Sequence, residues 1–174
     1  YFTPARPAHY RVYSAPNSGM WCCVGTGMEN HGKYGEFIYT HNGDELYVNL
    51  FVASQLNWKE KKFSLKQETN FPNEETVRFT VSGKSQKLKL KIRCPWWVKP
   101  GEMKVICKGK DYAVGAQPSS YIEIDRKWKK GDVIEVTMPM SITVEELPNL
   151  PNYIAIMRGP ILLGARMGNY RLDG

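Results

Sequence analysis

The run Lys87-Leu88-Lys89-Leu90-Lys91-Ile92-Arg93 decides the fold class, because charged and apolar residues alternate in it without interruption. Successive side chains of a β-strand point to opposite faces, so the run predicts a strand with one buried face and one wet face. Shorter runs of the same period lie on both sides of it, with turn residues such as Ser82-Gly83 and Lys130-Gly131-Asp132 between them. Regularly spaced short strands of this kind predict a mainly β fold, an antiparallel β-sandwich.

The predicted strands all lie after the dipeptide Asn42-Gly43. They are Leu46–Val52, Phe63–Glu68, Thr76–Val81, Gln86–Arg93, Met103–Cys107, Tyr121–Ile124, Val133–Met138, Ile142–Glu145, Tyr153–Met157 and Ile161–Leu163. Before Asn42-Gly43 the pattern differs: Gly25–Tyr39 predicts one short helix, weakened by its glycines, and Tyr1–Met20 predicts an extended segment. The sequence therefore predicts two parts, residues 1–41 and a β-sandwich domain over residues 42–174.

Size and charge limit the classes of function. The 174 residues are enough for a substantial core, and no apolar run approaches the roughly 20 residues of a membrane-spanning helix. The net charge of +7 comes largely from lysine-rich strands and turns, which are typical of solvated strand faces. No nucleic-acid-binding motif is present, so we expect neither a nucleic-acid nor a membrane partner. The chain begins at Tyr1 rather than at an initiator Met, and we expect it to be part of a longer protein.

Two adjacent cysteines, Cys22 and Cys23, are the strongest chemical signal in the sequence. Neighbouring cysteines rarely bond to each other, because the closed ring strains the peptide between them. Two thiols can instead share a soft metal ion or supply a thiolate nucleophile, and the partial positive charge at a helix start favours a thiolate. The alternative, that both are small buried hydrophobes, stays open at this point. Cys94 and Cys107 fall within strand patterns, so they are predicted to fill the core.

The tryptophans and the polar residues of the helix have alternative interpretations. Four tryptophans could stack on sugar rings or could pack in the core, and packing is favoured because they occupy apolar positions: Trp58, Trp96, Trp97 and Trp128. A structural zinc knuckle needs two more ligands near Cys22, and only His31 and Glu29 are close in sequence. His31 lies about two helical turns from the cysteines, which favours a polar neighbour rather than a third ligand.

At these residues the sequence resembles a known family. Tyr1-Phe2-Thr3-Pro4 and the string Trp21-Cys22-Cys23-Val24-Gly25-Thr26-Gly27-Met28-Glu29-Asn30-His31 are similar to the β-L-arabinofuranosidases of glycoside hydrolase families 127 and 146. Arg93-Cys94-Pro95-Trp96-Trp97, Trp128-Lys129-Lys130-Gly131-Asp132 and Met157-Arg158-Gly159-Pro160 resemble the downstream β-domain of that family in the same order. The likeness spans nearly the whole chain, and the cysteine string is its most specific part.

The resemblance implies that this chain is the C-terminal portion of a longer enzyme. In the family an (α/α)6 barrel carries the active site and a β-sandwich follows, so residues 1–41 with their one helix are the end of the barrel. By the same resemblance Cys22 is the nucleophile and a zinc ligand, and Cys23 is a second zinc ligand. The other zinc ligands and the acid/base glutamate lie upstream, so we expect partial or no zinc and no activity in this chain alone. The implied substrate is a β-L-arabinofuranosyl saccharide of plant polysaccharides, and the implied location is periplasmic or secreted.

A second hypothesis assigns the sandwich a non-catalytic role, either supporting the barrel or binding plant polysaccharide. An exposed row of tryptophan rings favours binding, and rings buried between the sheets favour support. Residues 1–41, without the missing barrel, are predicted to pack on the sandwich or to mediate self-association.

Overall fold

The computed structural model describes residues 22–166. The extended segment predicted for Tyr1–Met20, and most of the surface predicted to self-associate, lie outside the described residues. The chain forms one helix and a series of short strands: α1 Cys22–Ile38, β1 Tyr39–Asn42, β2 Glu45–Val48, β3 Ser54–Trp58, β4 Phe63–Thr69, β5 Thr76–Gly83, β6 Gln86–Cys94, β7 Lys104–Cys107, β8 Lys110–Asp111, β9 Ser120–Trp128, β10 Val133–Thr137, β11 Ile142–Leu147, β12 Leu150–Arg158 and β13 Ile161–Leu162. No helix in this part of the chain is long and apolar enough to cross a membrane.

Two sheets form the sandwich, as the alternation predicted. One has the order β1-β2-β6-β9 and the other the order β3-β4-β5-β10-β7-β8. Their strand pairs are antiparallel except β2 and β6, which run parallel from the pair Glu45–Lys89 to the pair Val48–Ile92. Parallel neighbours need a crossover, and here residues 49–85 cross into the second sheet, form β3 to β5 and return as β6. The antiparallel sandwich is therefore confirmed, with one parallel pair that local sequence does not encode.

The core lies between the two sheets and follows the period-two pattern. In β6 the residues Leu88, Leu90, Ile92 and Cys94 are buried, while the lysines between them face outward. Side chains from both sheets join in one hydrophobic cluster. Trp128, the last residue of β9, is buried in it, and its indole Nε1 donates a hydrogen bond to the Leu88 carbonyl at 3.1 Å. Trp128 is therefore a packing residue, as its apolar position before the Lys130-Gly131-Asp132 turn predicted.

A tight turn after Trp128 ends β9 and starts β10. Gly131 has φ 85, a conformation that an L side chain rarely adopts. The buried carboxylate of Asp132 accepts a hydrogen bond from the Lys129 backbone N–H at 3.0 Å and pairs with Lys108 Nζ at 2.8 Å. Burial raises the pKa of Asp132, but the hydrogen bonds from Lys108 and Lys129 outweigh it and hold the pKa below its usual value. The carboxylate is thus a structural anchor of the turn.

Three strands were not predicted. β1 pairs with β2 across a tight turn at Gly43, which has φ 59, so residues assigned to the segment before the sandwich belong to its first sheet. Its sequence, Tyr-Thr-His-Asn, has no alternating apolar signal. β3 is mostly polar because it lies at the edge of its sheet, and β8 has only two residues. Edge and very short strands carry little hydrophobic pattern, so periodicity misses them.

The last three strands form a sheet of their own, in the order β11-β12-β13. Their positions agree with the predicted strands, but within residues 22–166 they share no ladder with the two sandwich sheets. Every residue of β11 is exposed, including Ile142 and Val144. The prediction of one continuous sandwich after residue 42 therefore needs a correction: the sandwich core ends near Met138, and a separate small sheet follows it. Residues 36–163 together form one compact unit.

Candidate active site

Cys22 and Cys23 are the first two residues of α1, and both are free and exposed. The sequence predicted a helix over Gly25–Tyr39, and the helix begins three residues earlier, so the two thiols lie in its first turn. Backbone N–H groups in a first helical turn have no partner inside the helix and carry partial positive charge. The structure thus presents two accessible sulfur atoms beside backbone N–H groups that have no partner inside the helix.

The body of α1 contributes no buried residue to any core. It carries four glycines, at positions 25, 27, 32 and 35, and each lowers helix propensity by up to about 1 kcal/mol relative to alanine. Large apolar side chains on it are exposed, among them Met28 at 59% and Phe37 at 58%. Such a helix has little intrinsic stability, because helices in proteins are held mainly by packing of an apolar face.

Two side-chain hydrogen bonds lie within α1. The Nδ1 atom of His31 donates to the Gly27 carbonyl at 2.9 Å, and Asn30 Nδ2 donates to the Tyr34 hydroxyl at 2.8 Å. His31 is eight positions from Cys23, about 12 Å along a helix, so it does not share a metal ion with that thiol. Across residues 22–166 no group of three His, Cys, Asp or Glu side chains is placed to hold a metal. Among these residues Cys22 and Cys23 are thus two potential ligands without a third.

The other two cysteines occupy a different environment. Cys94 in β6 and Cys107 in β7 are each 1% exposed, which confirms that they fill the core. Burial raises the pKa of both thiols. For Cys107, Arg126 Nη1 also donates a hydrogen bond to the sulfur at 3.1 Å, which opposes the effect of burial without overcoming it. These thiols are held in the protonated form and are inaccessible, so neither is a candidate nucleophile.

The wet face of β6 is a network of ion pairs. Lys91 Nζ lies 3.0 Å from carboxylate oxygens of both Glu45 and Glu123, and Lys89 bridges the same two residues at 3.3 and 3.5 Å. A hydrogen bond from the Tyr47 hydroxyl, followed by those from the lysines, lowers the pKa of Glu45 to about 2. The sequence predicted the exposed lysines but not their partners, because Glu45 reaches them only through the parallel pairing. Lys89 and Lys91 are thus both paired with carboxylates on the neighbouring strands.

The four tryptophans do not form an exposed row. Trp58 is 8% exposed, Trp128 is 1% exposed, and Trp97 is partly buried against the core. Trp96 alone among them is strongly exposed, at 55%. Three of the four tryptophans therefore pack in or against the core, and one ring, that of Trp96, lies on the surface.

Sequence comparison places this architecture in a family. The profile described as "Beta-L-arabinofuranosidase, GH127 middle domain" matches residues 45–140, more than half of the chain. The chain belongs to the GH127 β-L-arabinofuranosidase family. The matched range covers the two sandwich sheets from β2 to β10 and ends just before β11. No curated protein matches the chain.

Solved structures extend the GH127 relationship. A glycoside hydrolase superposes with a TM-score of 0.75 at 29% identity, covering 92% of this chain and 28% of its own. A GH127 β-L-arabinofuranosidase from Geobacillus stearothermophilus T6 has a TM-score of 0.68 at 28% identity, covering 81% of this chain and 23% of its own. A further GH127 β-arabinofuranosidase has a TM-score of 0.63 at 28% identity, covering 72% and 23%. The chain thus spans about a quarter of the length of these relatives.

Proposed function

We propose that the complete protein is a retaining β-L-arabinofuranosidase in which Cys22 is the nucleophile and Cys22 and Cys23 are two ligands of a zinc ion. The observation that carries the proposal is the position of two free, exposed thiols in the first turn of α1, in a chain of the GH127 family. The relatives named as arabinofuranosidases support the substrate class. The sulfurs of Cys94 and Cys107 are excluded by burial.

The donor set fits zinc in kind, though residues 22–166 supply only part of it. Thiolate sulfur is a preferred zinc ligand, and a four-coordinate site needs more than the two donors present. As the family resemblance implies, we propose that the remaining ligands and the proton donor lie upstream of Tyr1, so that the 174-residue chain alone is inactive. When bound, zinc supplies a positive charge that keeps a thiol deprotonated at neutral pH. Cys23 has no part in bond making and acts as a ligand only.

The proposed reaction replaces one of the two usual carboxylates by sulfur. Retaining glycosidases place a nucleophile and an acid/base about 5–5.5 Å apart and react through a covalent glycosyl-enzyme. Here the Cys22 thiolate attacks the anomeric carbon and forms a carbon–sulfur bond, while the glycosidic oxygen leaves with a proton from the acid. Water, deprotonated by the same acid/base, then displaces sulfur and releases L-arabinose and the free thiolate. Because two inversions occur, the configuration is retained.

The first experiment compares the complete protein with the 174-residue chain. We expect stoichiometric zinc and release of L-arabinose from an aryl β-L-arabinofuranoside in the complete protein, and neither in the chain alone. Cys23→Ser in the complete protein should lose zinc, whereas the matched variant Cys94→Ala, which removes a core thiol, should keep it. Unchanged zinc in Cys23→Ser would refute the ligand assignment.

A second role, support of the catalytic domain by the sandwich, is favoured by the burial of Trp58 and Trp128 between the sheets. Rings at these positions stabilise the core and are not available as a platform for a polysaccharide. In this role, the sandwich, which begins at β1, holds the preceding domain in its active form. A complete protein truncated after Ile38 should lose its cooperative unfolding transition and its turnover. A truncated form with full activity would rule out this role.

A further inference from the structure

The turn that follows β6 fixes an exposed tryptophan on the surface. The Val98 backbone N–H donates to the Pro95 carbonyl at 3.3 Å, which places Trp96 and Trp97 at the centre of the turn. The Trp97 ring stacks on Phe71 with centroids 6.0 Å apart and an interplanar angle of 16°. The residues on either side, Cys94 and Val98, are each 1% exposed. With its neighbours anchored, Trp96 is held in place with about half of its surface in solvent.

Two grooves meet at Trp96. The first has a volume of about 160 Å³ and includes Asn49 and Arg93 in its lining. The second has a volume of about 270 Å³ and includes Lys99 and Glu145. Each groove alone is smaller than a small-ligand site of roughly 300 Å³ or more, so a ligand must lie across both, along the Trp96 ring that they share. Both grooves are lined mainly by apolar residues, with a few polar side chains among them. A sugar ring has apolar faces and hydroxyl groups at its edge, so it can stack on the Trp96 ring while its edge meets these polar side chains.

The two basic side chains of these grooves retain donors for a ligand. Within residues 22–166, neither Arg93 nor Lys99 forms an ion pair with a carboxylate, unlike the lysines of the β6 network. Arg93 Nη1 makes one long contact, 3.5 Å, with the Asn49 carbonyl. A guanidinium presents five N–H donors in a planar fork that matches a carboxylate. The Asn49 side chain is itself fixed, because its Oδ1 accepts a hydrogen bond from the Tyr121 hydroxyl at 2.7 Å.

We propose that Trp96 and Arg93 form an accessory binding site for an oligosaccharide that carries uronic-acid units. One sugar ring stacks on the exposed indole, its carboxylate pairs with Arg93, and a neighbouring unit extends past Lys99. The site contains none of the residues proposed for catalysis, so it stands independently of that assignment. Its function is to hold acidic polysaccharide at the surface of the sandwich.

The test measures binding of trigalacturonate to the complete protein by titration calorimetry, with the neutral trisaccharide maltotriose beside it. We expect saturable binding of trigalacturonate, about tenfold weaker in Trp96→Ala, which corresponds to a loss of about 1.4 kcal/mol for one stacked aromatic ring. Arg93→Lys, which keeps the charge but loses the fork, should also weaken binding. Tyr153→Ala is the matched control, because Tyr153 is an aromatic residue 66% exposed that lines neither groove.

Trigalacturonate contains no arabinofuranosyl unit, so this result does not depend on the proposed hydrolase activity. Cys22→Ser should bind trigalacturonate as well as the unmutated protein, whatever its effect on arabinose release. Thermal unfolding of Trp96→Ala should be unchanged, because the ring is exposed. The proposal is overturned by absence of trigalacturonate binding, by equal binding in Trp96→Ala, or by equal affinity for maltotriose.

Discussion

The two pairs of cysteines in this chain have opposite environments. Cys22 and Cys23 are exposed in the first turn of a helix that buries none of its own residues. Cys94 and Cys107 are enclosed in the sandwich core, where burial raises the pKa of both thiols. The same functional group is thus accessible and near backbone N–H groups without a partner inside the helix in one region, and protonated and inaccessible in the other. Surroundings rather than residue type decide which pair is available for chemistry.

The contrast extends to stability. The sandwich unit holds itself together, since its strands bury alternate side chains in one cluster. Helix α1 carries four glycines and exposed apolar side chains, so its stability must come from packing partners rather than from its own propensity. We infer that the chain combines a sandwich stabilised by its own core with a helix that needs packing partners, and the proposed function places its chemistry at the start of that helix.

The largest expected effect is on turnover. In the complete protein, Cys22→Ser should lower kcat for an aryl β-L-arabinofuranoside by at least about four orders of magnitude, as loss of a covalent nucleophile does in other enzymes. The variant should keep the circular dichroism spectrum of the parent, because Cys22 is exposed. Cys94→Ala removes a thiol from the other region and should retain turnover. If Cys22→Ser keeps more than a tenth of the activity, sulfur is not the nucleophile.

The next effect is the difference in thiol reactivity. In the metal-free 174-residue chain, two thiols should react with an aromatic disulfide reagent at the rate of a small-molecule thiol. The two core thiols should react at least about a thousandfold more slowly, because they need an opening of the sandwich that costs several kcal/mol. Denaturant should make all four equivalent. Four equal rates under native conditions would show that the core thiols are not enclosed.

A change in the sandwich core should act on stability alone. Trp128→Ala is expected to lower the free energy of unfolding by about 3–5 kcal/mol, because it removes a fully buried ring and its hydrogen bond to Leu88. Trp96→Ala, which removes the exposed ring, should change it by less than about 0.5 kcal/mol. Urea unfolding of the two variants measures both values. Similar losses of unfolding free energy in the two variants would mean that Trp128 and Trp96 do not differ in burial as described.

The smallest effect concerns acid sensitivity. The pKa of Glu45 falls from 4.5 to about 2 in the folded chain, so its contribution to stability is present above pH 4.5 and is lost as the pH falls towards 2. Glu45→Gln should therefore be less stable than the unmutated chain at neutral pH, and the difference should shrink between pH 4.5 and 2. Thermal unfolding across this range measures it. A stability difference between the two proteins that does not change with pH would show that the charge on the Glu45 carboxylate does not contribute to stability.

Local sequence patterns predicted most of the strands but not which strands pair with each other over long distances in the chain. The alternation of charged and apolar residues predicted β6 and its buried face, because the residues next to Leu88 and Ile92 are enough to show that these two side chains face the core. It missed β1, whose four residues have no apolar period, and it gave no sign that β2 runs parallel to β6. Pairing between strands 44 residues apart depends on the whole chain, so the Glu45–Lys91 pair was not visible either.

At the candidate site, the residue pattern singled out the cysteine pair, but it did not predict where the helix begins or which segments form the surface grooves. The pair Cys22-Cys23 was recognised from its own neighbours, and the core position of Cys94 and Cys107 from strand period. The helix start at Cys22 was placed three residues too late, because Gly25 and Gly27 reduce helix propensity and hide the first turn. The grooves beside Trp96 are made by segments far apart in sequence, from Asn49 to Glu145, so no local pattern could locate them.

The measurement that tests the central claim most directly is the location of the covalent sugar. The complete protein is mixed with an aryl β-L-arabinofuranoside, quenched in acid during turnover, digested and mapped by mass spectrometry. We predict one arabinosyl unit on the peptide that contains Cys22, and none on the peptides that contain Cys94 or Cys107. An arabinosyl unit on a carboxylate, with Cys22 unmodified, would contradict the account.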